Sequence, residues 1–185
     1  MKKDLYLRRA NSDDARLLYE WRNDPETRAA SFHQDEIPYE DHLAWFGKMM
    51  KDENRLQFIL MDGDTPVGQI RLDLSPAGAK ETGSMTAAAC IEGHKNNSAG
   101  QQCEAEISYA AAPGQRGRGY GTALIRLIEK AAKEQNKEDI SERFCKIALL
   151  TAKVLKDNTA SAVIFERMGY KRTDRKDYLL FTKEI

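Results

Sequence analysis

No apolar run in this chain approaches the length of a membrane-spanning helix. The opening segment, Met1 to Arg8, lacks the apolar core of a signal peptide. A surplus of either charge is also missing, because 29 Lys and Arg balance 29 Asp and Glu. Nothing in that balance points to nucleic acid or to an anionic membrane. Cysteine is scarce: Cys90, Cys103 and Cys145 are odd in number and form no C-x-x-C pair. Free thiols in a reducing cytoplasm are the simplest reading, and a cytoplasmic location is expected. Only three histidines occur, so no Ser-His-Asp or Cys-His arrangement can be argued. Cys90, His94 and Cys103 match no standard zinc spacing, and no metal is expected.

What is present is ordinary for a globular protein. Hydrophobic residues make up 41% and charged residues 31% of 185. That length suits one domain with a substantial core. Leu5-Tyr6-Leu7 reads as a strand. Asn11-Ser12-Asp13-Asp14 reads as a helix N-cap, with Ala15, Leu18 and Trp21 at helical spacing and Asp24-Pro25 as the stop. A helix over 39–51 would carry Leu43, Phe46 and Met50 on one face. Strands over 55–61 and 66–74 flank the turn Asp62-Gly63-Asp64. Residues 75–102 are rich in Gly, Ala, Ser and Asn without a sustained period, and read as a flexible insertion into a single domain spanning 1–185.

Regular patterning returns with a strand over 103–112. A helix over 119–135 follows, with Leu124, Leu127, Ile128 and Ala131 as its buried stripe. Next come a strand over 146–154, a helix over 158–168 with Val163, Ile164 and Met168 inward, a stop at Gly169, and a last strand over 178–182. The order is a meander, then βαβα, then a terminal hairpin. It implies an α/β fold with a sheet of mixed direction.

The stretch from Pro113 to Thr122 carries the strongest chemical signal. Gly114, Gly117, Gly119 and Gly121 fall within eight residues between a strand and a helix. Glycines let the backbone approach a ligand, and the helix start supplies N–H groups and dipole for a phosphate. Arg116 and Arg118 can add charge-assisted bonds. A glycine-rich turn without a ligand remains the alternative. The segment is neither a dinucleotide fingerprint nor a P-loop.

Arg116-Gly117-Arg118-Gly119-Tyr120-Gly121 resembles the [QR]-x-x-G-x-[GA] motif of the GNAT acetyltransferases. Asn158 to Ser161 and Phe165 to Tyr170 resemble that family's segment after the fifth strand. The resemblance implies a GNAT-like, mostly antiparallel central sheet flanked by helices, and acetyl-CoA as acetyl donor. It implies that Tyr109, Ala110 and Ala111 hold the pantetheine. It places Arg116, Gly117, Arg118, Gly119, Tyr120, Gly121 and Thr122 at the pyrophosphate, with Asn158 and Phe165 beside the cofactor chain.

The N-terminal half narrows the resemblance. Glu20 to Pro25, Phe32, His42 to Phe46, Asn54 to Phe58 and Pro66 to Arg71 follow in series. They resemble the sugar N-acetyltransferases of pseudaminic and legionaminic acid biosynthesis and related spore-coat polysaccharide proteins. The implied acceptor is the 4-amino group of a nucleotide-linked amino-dideoxy sugar. Arg22, Asn23, Asp24, Arg28, Phe32, His42 and Trp45 are the expected acceptor residues; family members often form homodimers. Trp21 and Phe46 fit core packing at least as well as ligand contact. Other acceptors remain open, notably a protein N-terminus, as does a non-catalytic acetyl-CoA-binding module.

Amine attack on a thioester needs a proton acceptor and an oxyanion donor. Glu106 is the candidate base, on the same strand face as Glu104 and Ser108, or else a structural carboxylate. His42 is the alternative acceptor of the proton, or else a surface residue or sugar ligand. The family commonly places a tyrosine, as proton donor to the leaving thiolate, where this chain has Phe165. Tyr109 or a water would then serve, or the thiolate would leave unprotonated. Asn158 can contact the cofactor, cap its own helix, or do both.

Overall fold

The computed structural model describes residues 4–77, 102–137 and 146–185. Most of the expected insertion, with Cys90, His94 and Cys145, lies outside them. The strands are β1 (Leu5–Arg9), β2 (Arg55–Asp62), β3 (Thr65–Pro76), β4 (Gln102–Ala111), β5 (Lys146–Leu155), β6 (Lys171–Asp174) and β7 (Tyr178–Glu184). They form one sheet in the order β1-β2-β3-β4-β5-β7-β6. Only the β4–β5 pair is parallel; the other five are antiparallel. The α helices are α1 (Ala15–Asn23), α2 (Pro25–Ala29), α3 (Tyr39–Met49), α4 (Tyr120–Lys137) and α5 (Thr159–Arg167).

Period-two alternation splits the core into two layers. Adjacent residues Ile59 and Leu60 are both fully buried but belong to opposite faces. On one face, Ile59 and Met61 pack with Leu18 and Trp21 of α1 and Phe46 and Met49 of α3. On the other, Leu60, Ile70 and Ile107 pack with Leu124, Ile125 and Ile128 of α4 and Phe165 of α5. The β2–β3 hairpin turns at Gly63 with φ +59°, in a two-residue loop that closes the pair Asp62–Thr65.

Several local expectations are corrected. Asp24-Pro25 ends α1 but also starts α2. Asp24 caps it by accepting from Thr27 N at 2.9 Å, and Pro25 takes the first turn, where its missing N–H costs nothing. The buried face of α3 is His42, Phe46 and Met49; Leu43 and Met50 are exposed. On α5, Ala162 and Phe165 are buried while Val163 is exposed. On α3 the stripe is rotated by one position, with His42 in place of Leu43 bonded to the Ala15 carbonyl, whereas Ile164 and Met168 of α5 pack against the core as expected. Cys103 is disulfide-bonded rather than a free thiol.

Candidate active site

The parallel pair β4–β5 opens at one end. Its register stops at Glu106–Thr151. Beyond that point β5 stays with β7 as far as Leu155–Tyr178, and β4 stays with β3 as far as Ala111–Gly68. The two strands therefore splay, and the Ile107–Ala111 edge of β4 borders the gap. The glycine loop leaves the end of that edge and runs into α4.

The loop is built from left-handed turns. Gly117 and Gly119 have φ of +74° and +83°, which side-chain-bearing residues rarely adopt. The first bond of helical type runs from Ala123 N–H to Gly119 O at 3.1 Å. The amides of Gly121 and Thr122 precede it and lie in the first turn, whose N–H groups point out of the helix end. Gly121 has a packing role as well. A Cβ there would come within 2.8 Å of Ile164 Cδ1 and 3.3 Å of the Tyr109 ring, so its absence lets α4 approach α5 and β4. Tyr120 is buried and its hydroxyl donates to Asp62 Oδ2 at 2.7 Å. Its side chain thus anchors the start of α4 to β2, which leaves only its backbone for the expected cofactor contact.

Glu106 and Tyr109 project to opposite faces of β4. Glu106 lies on the polar face, across from Asp73 of β3, and its Oε2 meets Lys153 Nζ of β5 at 3.1 Å. Arg71 and Ser108 share this face. Arg71 is held by Asp73 at 2.8 Å, and its guanidinium lies 5.6 Å from the Trp45 ring centroid. Tyr109 lies on the helical face formed by α4 and α5. Its hydroxyl donates to Ser161 Oγ at 3.0 Å, and burial pushes the phenol above its ordinary pKa despite that bond.

Asn158 accepts from Ser161 N at 3.1 Å, so the capping role is present. Phe165 is 1% exposed and packed against Tyr109, Tyr170 and Phe181. Its ring is enclosed by these neighbours. His42 also lies inside the fold. It is 3% exposed, and its Nε2 donates to the Ala15 carbonyl at 3.0 Å. Burial holds its pKa below the ordinary histidine value. It joins α3 to α1.

The remaining acceptor candidates gather around the segment between α1 and α3. Asn23 clasps Ile37, donating to its carbonyl at 2.8 Å and accepting from its N–H at 2.9 Å. Arg22 donates to His33 O at 2.6 Å, and Arg28 to Gln34 O at 3.2 Å. Yet Arg22 Nη1 and Arg28 Nε are buried without a hydrogen-bond partner. Burial and the Arg28 charge both lower the pKa of Arg22. Phe32 is half-exposed and meets Tyr178 edge-on, with ring centroids 6.2 Å apart. Arg116 reaches back from the loop to this segment, pairing with Asp24 and with Glu26 at 3.2 Å. Lys153, Arg71, Ser161 and Tyr178 are given no site role by the sequence, although Arg71 and Ser161 fall within segments that carry the family resemblance and Lys153 holds an alternating position on β5 two residues beyond Thr151.

The sheet thus opens beside a glycine loop, with polar groups on one side of β4 and a phenol on the other. The acetyltransferase (GNAT) domain family matches residues 4–171, and the chain belongs to that family. No curated protein matches the sequence. Among solved structures, a domain from Methanocaldococcus jannaschii is 20% identical with a TM-score of 0.69, covering 100% of both chains. An aminoglycoside acetyltransferase in complex with coenzyme A is 15% identical with a TM-score of 0.71, over 98% of this chain and 95% of that one. A spermidine N-acetyltransferase from Vibrio cholerae, in complex with CoA and spermine, is 14% identical with a TM-score of 0.68, over 97% and 95%. At these identities the likeness is one of fold. Among the described residues no cluster could hold a metal, and no helix is long and apolar enough to cross a membrane.

Proposed function

We propose that the chain is an acetyl-CoA-dependent N-acetyltransferase whose acceptor is a nucleotide-linked 4-amino-dideoxy sugar. Family membership and the strand–loop–helix segment support the donor. The observation that carries the acceptor is the Arg22–Arg28 pair. Two neighbouring guanidiniums, each with an unpartnered buried nitrogen, have no ion-pair partner among the described residues. Buried donors left unpaired are costly, and a diphosphate accepts from two arginines at once. A cationic group brought to these two guanidiniums would be repelled, which favours an anionic group at this point of the segment. Half-exposed Phe32 and Trp45 offer ring faces to a base or sugar.

The reaction follows from the two faces of β4. The amine approaches from the polar face, where Glu106, directly or through a water, takes its proton. Nitrogen bonds to the thioester carbonyl carbon, and a backbone N–H along Tyr109–Ala111 stabilises the oxyanion. The C–S bond then breaks toward the helical face, where the Tyr109 phenol gives a proton to the departing thiolate. Base and acid thus sit on opposite sides of the strand edge and do not neutralise each other.

The test is thiol release from acetyl-CoA with a UDP-4-amino-4,6-dideoxyhexose, set beside spermidine, kanamycin and N-terminal peptides. Turnover confined to the sugar is expected. Turnover confined to peptides or polyamines would overturn the acceptor and leave the donor standing.

A further inference from the structure

We propose that Arg116 is a brace between the glycine loop and the acceptor segment, and that it holds that segment in place instead of binding the donor's pyrophosphate. Arg116 is the first residue of the motif, and its fork is occupied. Nη2 pairs with Asp24 Oδ2 and donates to Thr27 Oγ1 at 2.8 Å, while Nη1 meets Glu26 Oε2 at 3.2 Å.

The charge count around the guanidinium argues in the same direction. Two carboxylates face one cation, so the cluster carries a net charge of about −1. A pyrophosphate brought to Arg116 would meet that negative excess. The carboxylate with the best geometry is also committed. Burial alone would raise the pKa of Asp24. The Thr27 N–H, the Arg116 guanidinium and the Thr27 hydroxyl overcome burial and hold it below the usual carboxylate range. Releasing Arg116 would leave a partly buried carboxylate short of its partner, which is costly.

What Arg116 braces is the turn between α1 and α2. Asp24 ends one helix and caps the next. Its neighbour Asn23 clasps Ile37, and Arg22 and Arg28 hold the His33 and Gln34 carbonyls. One ion pair, spanning 92 positions in sequence, thus ties the start of the phosphate loop to the wall that carries the acceptor residues. Ordering the loop with a donor orders the wall, and the coupling is reciprocal.

The inference rests on the acetyl-CoA reading for its donor arm, so the experiment separates the two. Hydrogen exchange over peptides covering 24–38 is followed in wild type, Arg116→Met, Arg116→Lys and Asp24→Asn, with and without acetyl-CoA. Calorimetry gives the acetyl-CoA Kd, and steady-state kinetics with the UDP-amino sugar gives KM for each substrate. Arg116→Met and Asp24→Asn are expected to speed exchange over 24–38 by about tenfold or more and to be non-additive when combined. Acetyl-CoA should protect 24–38 in wild type but not in Arg116→Met, and Arg116→Lys should recover part of that protection. The acceptor KM should rise about tenfold in Arg116→Met while the acetyl-CoA Kd changes less than about threefold. A tenfold weaker acetyl-CoA Kd with unchanged exchange would make Arg116 a phosphate ligand and overturn the brace. If wild type binds no acetyl-CoA, the donor reading fails. The exchange of the ligand-free variants then still decides the brace, upheld by faster exchange over 24–38 and overturned by unchanged exchange.

Discussion

The Tyr109 hydroxyl donates to Ser161 Oγ at 3.0 Å, bridging the strand before the glycine loop and the helix across the splay. Phe165, one turn along α5 from Ser161, has no proton to give and is buried. The phenol that β4 itself carries on this face is Tyr109, kept protonated by burial. Tyr109→Phe should lower kcat about 10- to 100-fold with little change in acetyl-CoA KM. Ser161→Ala should cost far less, because it removes the acceptor but leaves the phenol. Equal losses in the two variants would mean that the bridge is structural and the thiolate leaves without help from Tyr109.

Glu106 faces the other way, onto the polar face of β4, and is held by Lys153 at 3.1 Å. Both side chains are partly exposed, so the pair is a positioning contact more than a source of stability. Glu106→Gln should reduce kcat by about 10²-fold or more and leave acetyl-CoA affinity unaltered. Lys153→Met should give a smaller loss in kcat, since the carboxylate remains but is no longer aimed. Full activity in Glu106→Gln would remove it as the base.

The parts legible in sequence are those whose signal is local. Glycine spacing marked the loop, alternation marked the face of Glu106, and the Asp-Gly-Asp turn marked the β2–β3 hairpin. What stayed hidden depends on distant partners. His42 is a candidate in the sequence because a free imidazole titrates near neutrality, and its bond to the Ala15 carbonyl, 27 positions away, is not legible there. Asp24 and Arg116 read as ligands of two different substrates, and the fold pairs them with each other. Lys153 acquires a role only through the register that sets β5 beside β4. α2 was obscured because Asp-Pro is both a helix stop and a helix start.

Gly68 on β3 tests how tightly the donor-side edge is built. A Cβ at this position would lie 2.9 Å from the Ala110 carbonyl oxygen and 3.2 Å from Leu124 Cδ1. The first neighbour is backbone, which cannot swing aside as a side-chain tip can. Gly68→Ala should therefore push β4 outward at Ala110 and destabilise the fold by about 1–3 kcal/mol. The same shift should weaken acetyl-CoA binding, because Ala110 lies on the edge assigned to the pantetheine. Denaturant melts and calorimetry read the two effects. An unaltered melt would mean that the strands part without strain.

His42 gives the protein a defined pH response. Its Nε2 must carry the proton, since the Ala15 carbonyl only accepts. Burial, and next the charge of Arg22, hold its pKa below the ordinary 6.5, while the bond to Ala15 opposes them. The unfolded chain therefore takes up a proton near pH 6.5 before the folded one does. Stability is complete above that value and is lost as pH falls toward the depressed folded pKa. A single proton limits the slope to about 1.4 kcal/mol per pH unit. Urea midpoints should drop between about pH 7.5 and about pH 5.5 in wild type. His42→Gln keeps an N–H for Ala15 but does not titrate, so its midpoint should be flatter across that window. An identical slope in the two proteins would place the acid sensitivity in other groups.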